Sequence, residues 1–514
     1  MMRYKIGIDI GGTNTDAVVL DANRRIVSSH KECTTDPIEE GVLRAVEKVL
    51  AKQAIAKEDI TAIFLGTTHA TNAILEAKGL LAVGHIRIAG QRPDAAACFF
   101  CRPELKSKIL KAVRTIDGGY NCDGSPITRF CINQARSAVE ALLEEGVEAI
   151  SIAGAFSPIN RDQEDALRAL VLESAGPDFP VSCSADIGSL GFLQRENAAI
   201  INASLHRVIS KGFSSLEKRL LTSGIFAPLY MVQNDGSIMT LREAERLPIL
   251  TIATGQTNSF VGAMHLSSLS SAVVCDIGGT STDVGVVQNG VARRSSYAAD
   301  IGGISLQFAM PDVLSVAIGG GSVISDSFSI GPESVSRRIL SDSRCFGGNT
   351  LTLTDVAVLL EIMNPENAVS SHIGIDTQYA TDIIDCLRKR LTNALQIAQG
   401  KNSDLAVVVV GGAAPIVSYA LERTPFAKAL VVPEYASFAN AVGAGLARVS
   451  ARVSRIISRQ HNRVEALESL KQQAIVQAEA KGAKECAIAA VETMPFAYCK
   501  DGSSMISVTA SGVL

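Results

Sequence analysis

Apolar residues along this chain follow two rhythms. Short runs of β-formers bounded by glycine or small hydroxyl residues read as buried strands. Tyr4 to Ile8, Ala17 to Leu20, Ile60 to Leu65, Glu148 to Phe156, Leu229 to Gln233, Ala272 to Cys275, Val284 to Val287 and Ala406 to Val410 are of this kind. Between them apolar positions recur at helical spacing. Asp36-Pro37-Ile38-Glu39 reads as a helix start, with Val42, Val46 and Val49 on one face. Asn133 to Glu145, Asp162 to Ser174 and Leu193 to Ser223 read as further helices, and so do Val356 to Glu361, the small-residue stretch Ala436 to Val449, and the charged, Ala-rich stretch Arg452 to Lys481. Residues 90–125 show neither rhythm and read as irregular. Ala490 to Tyr498 and Met505 to Thr509 read as closing strands. Strands alternating with helices predict an α/β protein.

One phrase occurs twice. Asp9-Ile10-Gly11-Gly12-Thr13-Asn14-Thr15-Asp16 returns as Asp276-Ile277-Gly278-Gly279-Thr280-Ser281-Thr282-Asp283, each time between two strands. Strand, glycine turn, strand is a hairpin. Glycine has no Cβ, so the turn's backbone N–H groups can approach an anion. The Asp before each glycine pair ends a buried strand at the mouth of the turn. A carboxylate beside phosphate calls for a cation between them, and Mg²⁺ suits one or two carboxylates plus phosphate oxygens. The repeat therefore predicts two half-domains gripping one polyphosphate. In this reading Asp9 and Asp276 hold hydrated Mg²⁺ or order the attacking group. Thr13 and Thr280 contact phosphate, with Gly11, Gly12, Asn14, Gly278, Gly279 and Ser281 completing the turns. Which Asp acts as base stays open.

Other polar turns punctuate the strands. Ile60 to Leu65 runs into Gly66-Thr67-Thr68-His69-Ala70-Thr71-Asn72, where Thr68, His69 and Asn72 are candidates for substrate contact or for capping the next helix. Asn234-Asp235-Gly236 is a turn signal whose Asn234 and Asp235 are further substrate candidates. Thr254 to Asn258 reads as a small polar turn before a short helix. Gly411-Gly412-Ala413 follows the last buried strand, and its two glycines allow a flat ring to lie against the backbone.

Composition narrows the classes. At 514 residues the chain is long enough for about three domains of roughly 150 residues each. A net charge of −4 disfavours a nucleic-acid partner, which needs a basic face. Tryptophan is absent, so stacking platforms for bases or sugars are not expected. No apolar run reaches the roughly 18 residues of a membrane span, and no leader pattern precedes the first strand. The expected compartment is the cytoplasm. The 11 cysteines are scattered. Cys98 and Cys101 form a CxxC followed by Cys122 and Cys131, but that spacing does not match a zinc knuckle, and reduced, unliganded thiols are expected.

The stretches IGIDIGGTNTDAVVLD, GTTHATNAILE, VQNDGSIM, VVCDIGGTSTDVGVV, IGGGS and VVVVGGAAP together resemble the hydantoinase A / 5-oxoprolinase family of the actin–hexokinase–heat-shock ATPase superfamily. The resemblance covers nearly the whole chain. It implies two ribonuclease-H-like, actin/hexokinase-type lobes flanking an ATP cleft, with a small α/β insertion on the first lobe. The implied boundaries are 1–190 for the first lobe with its insertion, 191–450 for the second lobe, and 451–514 for a terminal helix and strands. Gly411, Gly412 and Ala413 correspond to the adenosine loop, and Ala439 with Gly443 to the connecting hinge. The implied activity is ATP- and Mg²⁺-dependent opening of a small cyclic amide or imide through phosphorylation of the amide oxygen. A separate B-type subunit is the implied partner, and a homo-oligomer is compatible. Two departures stand out: Thr254-Gly255-Gln256-Thr257 where the family usually has Ser-Gly-Pro-Ala, and His69 where it often has Val. A small-molecule kinase and a regulatory or chaperone-like ATPase switch are the alternatives.

Overall fold

The structure is a computed structural model. It describes residues 3–514 except 91–96, 99–100, 189–190, 294–298, 302, 307–310, 326, 401–403, 458–461 and 496–502.

The repeated phrase builds the same local topology twice. In the first lobe Tyr4–Ile10 and Asn14–Leu20 form an antiparallel hairpin, and Ile60–Thr67 runs parallel on the hairpin's other side. In the second lobe Ala272–Ile277 and Thr282–Gln288 form the hairpin, with Val407–Val410 as the parallel neighbour. The register is the same in both: Asp9 pairs with Asp16, and Asp276 with Asp283. Ile6, Ile8 and Ile10 in one lobe, and Val273, Val274, Cys275 and Ile277 in the other, are fully buried, as expected for strands covered on both faces.

The first lobe extends beyond residue 190, where the sequence reading places the boundary. Leu229–Val232 adds parallel to Ile60–Thr67, and Ile238–Thr240 pairs with it. The first sheet thus takes strands from both sides of an intervening unit. That unit is a four-stranded parallel sheet in the order Leu110–Ile116, Val83–Ile88, Ala149–Gly154, Val181–Cys183. The helix Pro103–Ile109 and the strand Leu110–Ile116 lie within the stretch read as irregular. The strand is an edge strand, mostly half-buried and carrying Lys111 and Arg114, so it shows no apolar run. The long helix Phe192–Thr222 packs against both the insertion strand Ala149–Gly154 and the first-lobe helix Ile38–Ala51.

The C-terminal unit also corrects the sequence reading. Val449–Ile457 is a strand, and the helix begins only at Arg463. Val449 and Ala451 are buried beside exposed Arg452, a period of two rather than of a helix. This strand, Ser504–Val513 and Lys484–Pro495 form an antiparallel sheet, on which Leu470, Ala474 and Ala478 of helix Arg463–Ala480 are buried. Lys500-Asp501-Gly502, which the sequence marks as a turn between the closing strands, lies outside the described residues.

Between the two large sheets two helices cross at backbone contact. Thr254–Ser267 begins where the sequence suggested a turn, and Ala439–Gly445 stops short of Val449. A Cβ on Gly262 would lie 1.9 Å from the Ala439 carbonyl oxygen, and one on Gly443 1.9 Å from that of Asn258. A Cβ on Gly7 would lie 2.1 Å from the Ala441 carbonyl oxygen. Only glycine permits these approaches. They fix the shorter helix against the first sheet and the longer helix together.

Candidate functional site

Both repeated turns close in the same way: Gly11 N–H donates to the Asn14 carbonyl at 3.0 Å, and Gly278 N–H to that of Ser281 at 2.9 Å. The turns face each other, since a Cβ on Gly279 would lie 3.3 Å from Thr13 Oγ1. The residues after Gly66 come to the first turn. A Cβ on Gly12 would stand 3.9 Å from Asn72 Nδ2, and Asn72 Nδ2 donates to Thr68 Oγ1 at 3.3 Å. Thr68 also borders Gly255 of the crossing helix. His69 starts the helix His69–Glu76, and its Nδ1 pairs with Thr67 Oγ1 at 2.8 Å. Burial lowers its pKa, so the ring is neutral at pH 7.

The second turn is enclosed by backbone. Gly320 and Gly321 N–H donate to the carbonyls of Gly278 and Gly279 at 3.0 and 2.8 Å. Gly319 approaches so closely that a Cβ would lie 2.5 Å from Thr280 N. Ala413 N–H donates to the Ile277 carbonyl at 3.2 Å. Gly411 takes φ +97°, and a Cβ there would lie 2.4 Å from Asp276 Oδ1. A Cβ on Gly412 would meet nothing within 4 Å. The adenosine-loop candidates are therefore joined directly to the second turn, with Gly412 on the open side. Gly319 to Gly321 were legible as a glycine turn, but nothing in the sequence tied them to the site.

The electrostatics are lopsided. Asp9 is 7 % exposed. Burial, then the charges of Asp16 and Asp276, push its pKa up to about 7. Asp276 is pushed up to about 7 by burial and then by Asp283. Asp16 and Asp283 are also raised, chiefly by burial. Lys31 Nζ lies 2.5 Å from Asp16 and offsets part of that rise, and the Ser315 hydroxyl donates to Asp283. Lys31 acts on Asp9, Asp16 and Asp276 but not Asp283. Among the described residues no three metal-ligating side chains gather, so a divalent cation here would take the two turn carboxylates together with phosphate oxygens and water, and Asp9 Oδ1 is buried with no hydrogen-bond partner. The donor set thus fits Mg²⁺, and the glycine cradles fit a polyphosphate.

Residues that sequence reasoning missed complete the centre. Asn440, on the shorter crossing helix, reaches both Asp9 and Asp276 and favours the charged form of each. Asn258 and Ser259, in the second turn of the longer helix, come up beside Asp9 and Asp276: Asn258 Nδ2 and Asp9 Oδ1 both border Gly66, and Ser259 favours charged Asp276. The sequence reading has Gln256 to Asn258 as a polar turn reaching the cleft, without tying Asn258 to the carboxylates.

Asn234 and Asp235 stand apart from the two turns. The Asn234 carbonyl accepts from Thr257 Oγ1 at 2.6 Å, and Asp235 Oδ1 accepts from Ser237 N–H at 2.9 Å and Ser237 Oγ at 2.6 Å. Asp235 thus closes its own turn. Both residues line a cavity of about 230 Å³ that they share with Phe260, Val261 and Val291. Cys98, Cys101, Cys122 and Cys131 form no disulfide. Cys98 and Cys101 interact through a hydrogen bond that raises the first thiol and lowers the second; the residues between them lie outside the described ones. Among the described residues no helix is long and apolar enough to cross a membrane.

Comparison with known proteins agrees with this geometry. Residues 5–175 match the hydantoinase/oxoprolinase N-terminal region, and residues 195–400 match hydantoinase/oxoprolinase. The chain is 25 % identical over 434 residues to the acetophenone carboxylase gamma subunit of Aromatoleum aromaticum, covering 76 % of this chain and 57 % of that one. It is 23 % identical to caprolactamase subunit alpha of Pseudomonas jessenii, covering 77 % and 59 %. The chain therefore spans under two thirds of the length of these relatives. A nucleotide-free acetone carboxylase structure superposes with a TM-score of 0.73 at 17 % identity, covering 100 % of this chain and 88 % of that one. The chain shares the α/β fold of that structure over its whole length. With both regions matched over most of the chain and the fold shared, the chain belongs to the hydantoinase/oxoprolinase family.

Proposed function

We propose that this chain is an ATP-dependent hydrolase that opens a small cyclic amide or imide by phosphorylating the amide oxygen. The observation that carries the reading is the pair of matching hairpins, turned face to face with a buried carboxylate at each mouth. An amide carbon is a poor electrophile, and its oxygen a poor leaving group. ATP, when bound, would supply the phosphoryl group that makes the carbon open to attack by water; the tetrahedral adduct would then expel the ring nitrogen, which takes up a proton, and the acyl phosphate left on the opened chain would be hydrolysed by a second water to carboxylate and phosphate. The chain's own residues do the positioning, which is most of what phosphoryl transfer needs. The turn N–H groups of Gly11 to Asn14 and Gly278 to Ser281 bind phosphate oxygens, helped by the Thr13 and Thr280 hydroxyls. Gly411, Gly412 and Ala413 seat the nucleoside. Asp9 and Asp276 hold a hydrated Mg²⁺ that neutralises phosphate charge, or order the attacking group. Thr68, His69 and Asn72 face the first turn and contact the substrate; neutral His69 serves as a hydrogen-bonding group rather than a charge. Asn234 and Asp235 contribute from the neighbouring cavity.

The substrate class follows the family and the relative named a caprolactamase. The relatives above are named as subunits of larger enzymes, which favours a separate B-type subunit as partner. The test is ADP release by the purified chain, alone and with a candidate B-type subunit. It is run against 5-oxoproline, hydantoin, N-methylhydantoin, caprolactam and a panel of hydroxyl compounds. Stimulation by cyclic amides with ring opening is expected. A stable phosphoester formed only from hydroxyl compounds would make the protein a kinase and overturn the reading.

A further inference from the structure

Three side-chain atoms at the meeting point of the lobes are buried and lack a hydrogen-bond partner, Asp9 Oδ1, Asn258 Nδ2 and Asn440 Oδ1, and the buried Ser259 hydroxyl stands beside them against Asp276. They come from three elements, the end of the first hairpin strand and the two crossing helices. Their convergence is built by glycine. A Cβ on Gly66 would lie 2.4 Å from Asn258 Nδ2 and 3.3 Å from Asp9 Oδ1, so glycine at that position lets Asn258 rise beside the carboxylate. Gly443 seats on the backbone of Asn258, and Asn440 precedes it by three residues, on the same face of the shorter helix. Asn258 is 1 % exposed and Ser259 fully buried. Each such unpaired atom costs on the order of 1–3 kcal/mol, and three gathered at one point fit a polar ligand that satisfies them together.

The set holds two acceptors, the oxygens of Asp9 and Asn440, and two donors, the Asn258 amide and the Ser259 hydroxyl. Mg²⁺ usually retains several waters, whose hydrogens need acceptors, while the carboxylate and phosphate oxygens around it need donors. We propose that Asn258, Ser259 and Asn440 are positioning residues that hold the water shell of a divalent cation between Asp9 and Asp276. The proposal rests on the reading that these two carboxylates bind the cation. Asn440 faces one carboxylate from each lobe, so it fixes the cation's water relative to both turns at once. Neither asparagine belongs to the repeated phrase.

The test is titration of Mn²⁺ alone into the nucleotide-free full chain, followed by calorimetry, with folding checked by thermal melting. Asn440→Leu keeps the size of the side chain and removes its polar atoms. It is expected to weaken Mn²⁺ binding by about tenfold or more, as loss of an outer-shell partner does, and to lower kcat for ATP hydrolysis while leaving the nucleotide KM within about twofold. Asn440→Ser, which keeps an oxygen, should recover part of the Mn²⁺ affinity, and Asn258→Ser should show the same direction of loss as Asn440→Leu. A folded Asn440→Leu protein that binds Mn²⁺ within twofold of the wild type overturns this proposal and leaves the carboxylate reading standing. A wild-type chain that binds no Mn²⁺ overturns both.

Discussion

The two glycine hairpins share sequence, register and turn geometry, yet their surroundings differ. The first turn is bordered by side chains: Thr68 and Asn72 from the helix start beside it, with Lys31 paired to Asp16. The second is wrapped in backbone: Gly319 to Gly321 on one side and Gly411 to Ala413 on the other. Side chains discriminate among ligands, whereas a glycine cradle brings N–H groups and space to any phosphate or flat ring. On the proposed function, this difference would give the two halves of one duplicated device different tasks: both turns would grip phosphate, while the side chains of the first lobe would read the substrate and the second cradle would seat the nucleoside.

The sharpest way to break this comparison is to neutralise each carboxylate in turn. Asp9→Asn and Asp276→Asn should each reduce ATP hydrolysis by roughly 10²–10³, the range seen when one preorganised polar group is removed from a reacting centre. Steady-state rates at saturating Mg²⁺ check this. If one variant is impaired and the other runs at the wild-type rate, the two turns are not the equivalent pair their register suggests.

The glycines offer a finer separation. Gly411 has positive φ, and a side chain there would strike Asp276, so Gly411→Val should lower the melting temperature of the nucleotide-free protein. Gly412 has open space around it. Gly412→Val should leave the melting temperature unchanged and weaken nucleotide binding by about tenfold or more, close to 1.4 kcal/mol. Calorimetric titration of ATP into both variants is the measurement. Unchanged affinity in Gly412→Val would remove the nucleoside from the second cradle and undo the division of labour.

How much of this was legible depends on distance along the chain. Asp9 to Thr13 and Asp276 to Thr280 stood out because the phrase is local and repeated. The return of Leu229–Val232 to the first sheet, past an inserted unit, is a property of topology that no local pattern carries. Helix Thr377–Gln399 has buried Ile383, Ile384, Leu387 and Leu391 at helical spacing, a readable signal that the sequence analysis passed over. Val449–Ile457 was taken into a helix because Val453 and Ile457 also fit a spacing of four. Asn440 gave no signal, because it matters only through partners on other elements; Asn258 was legible as part of a polar turn reaching the cleft, but not as a neighbour of Asp9. Asp235 shows the converse: its carboxylate, read as a ligand group, also closes its own turn, a second role that its residue type alone did not separate.

The smallest effect expected comes from the shared burden of charge and appears in stability rather than rate. Asp9 and Asp276 move from an ordinary 3.8 to about 7 in the folded protein. A carboxylate whose folded pKa is raised binds more protons when native than when unfolded, so stability falls as pH rises between those values. Below about pH 4 both states are protonated at these groups and they contribute nothing unfavourable. Above about pH 7 each costs a few kcal/mol, at roughly 1.4 kcal/mol per pKa unit, reduced where the two carboxylates share one proton. The metal-free protein should therefore melt several degrees lower at pH 8 than at pH 6, and Mg²⁺ should restore most of the difference by pairing with the charged forms. Asp9→Asn should roughly halve the slope of the metal-free profile and raise the melting temperature at pH 8, even as it cuts hydrolysis. Asp276→Asn should do the same to a similar extent, because burial is the leading cause at both positions. Thermal melts across pH, with and without Mg²⁺, separate the outcomes. A slope undiminished in both variants would place the titration elsewhere, and a slope diminished in one alone would show that the two lobes carry their charge unequally.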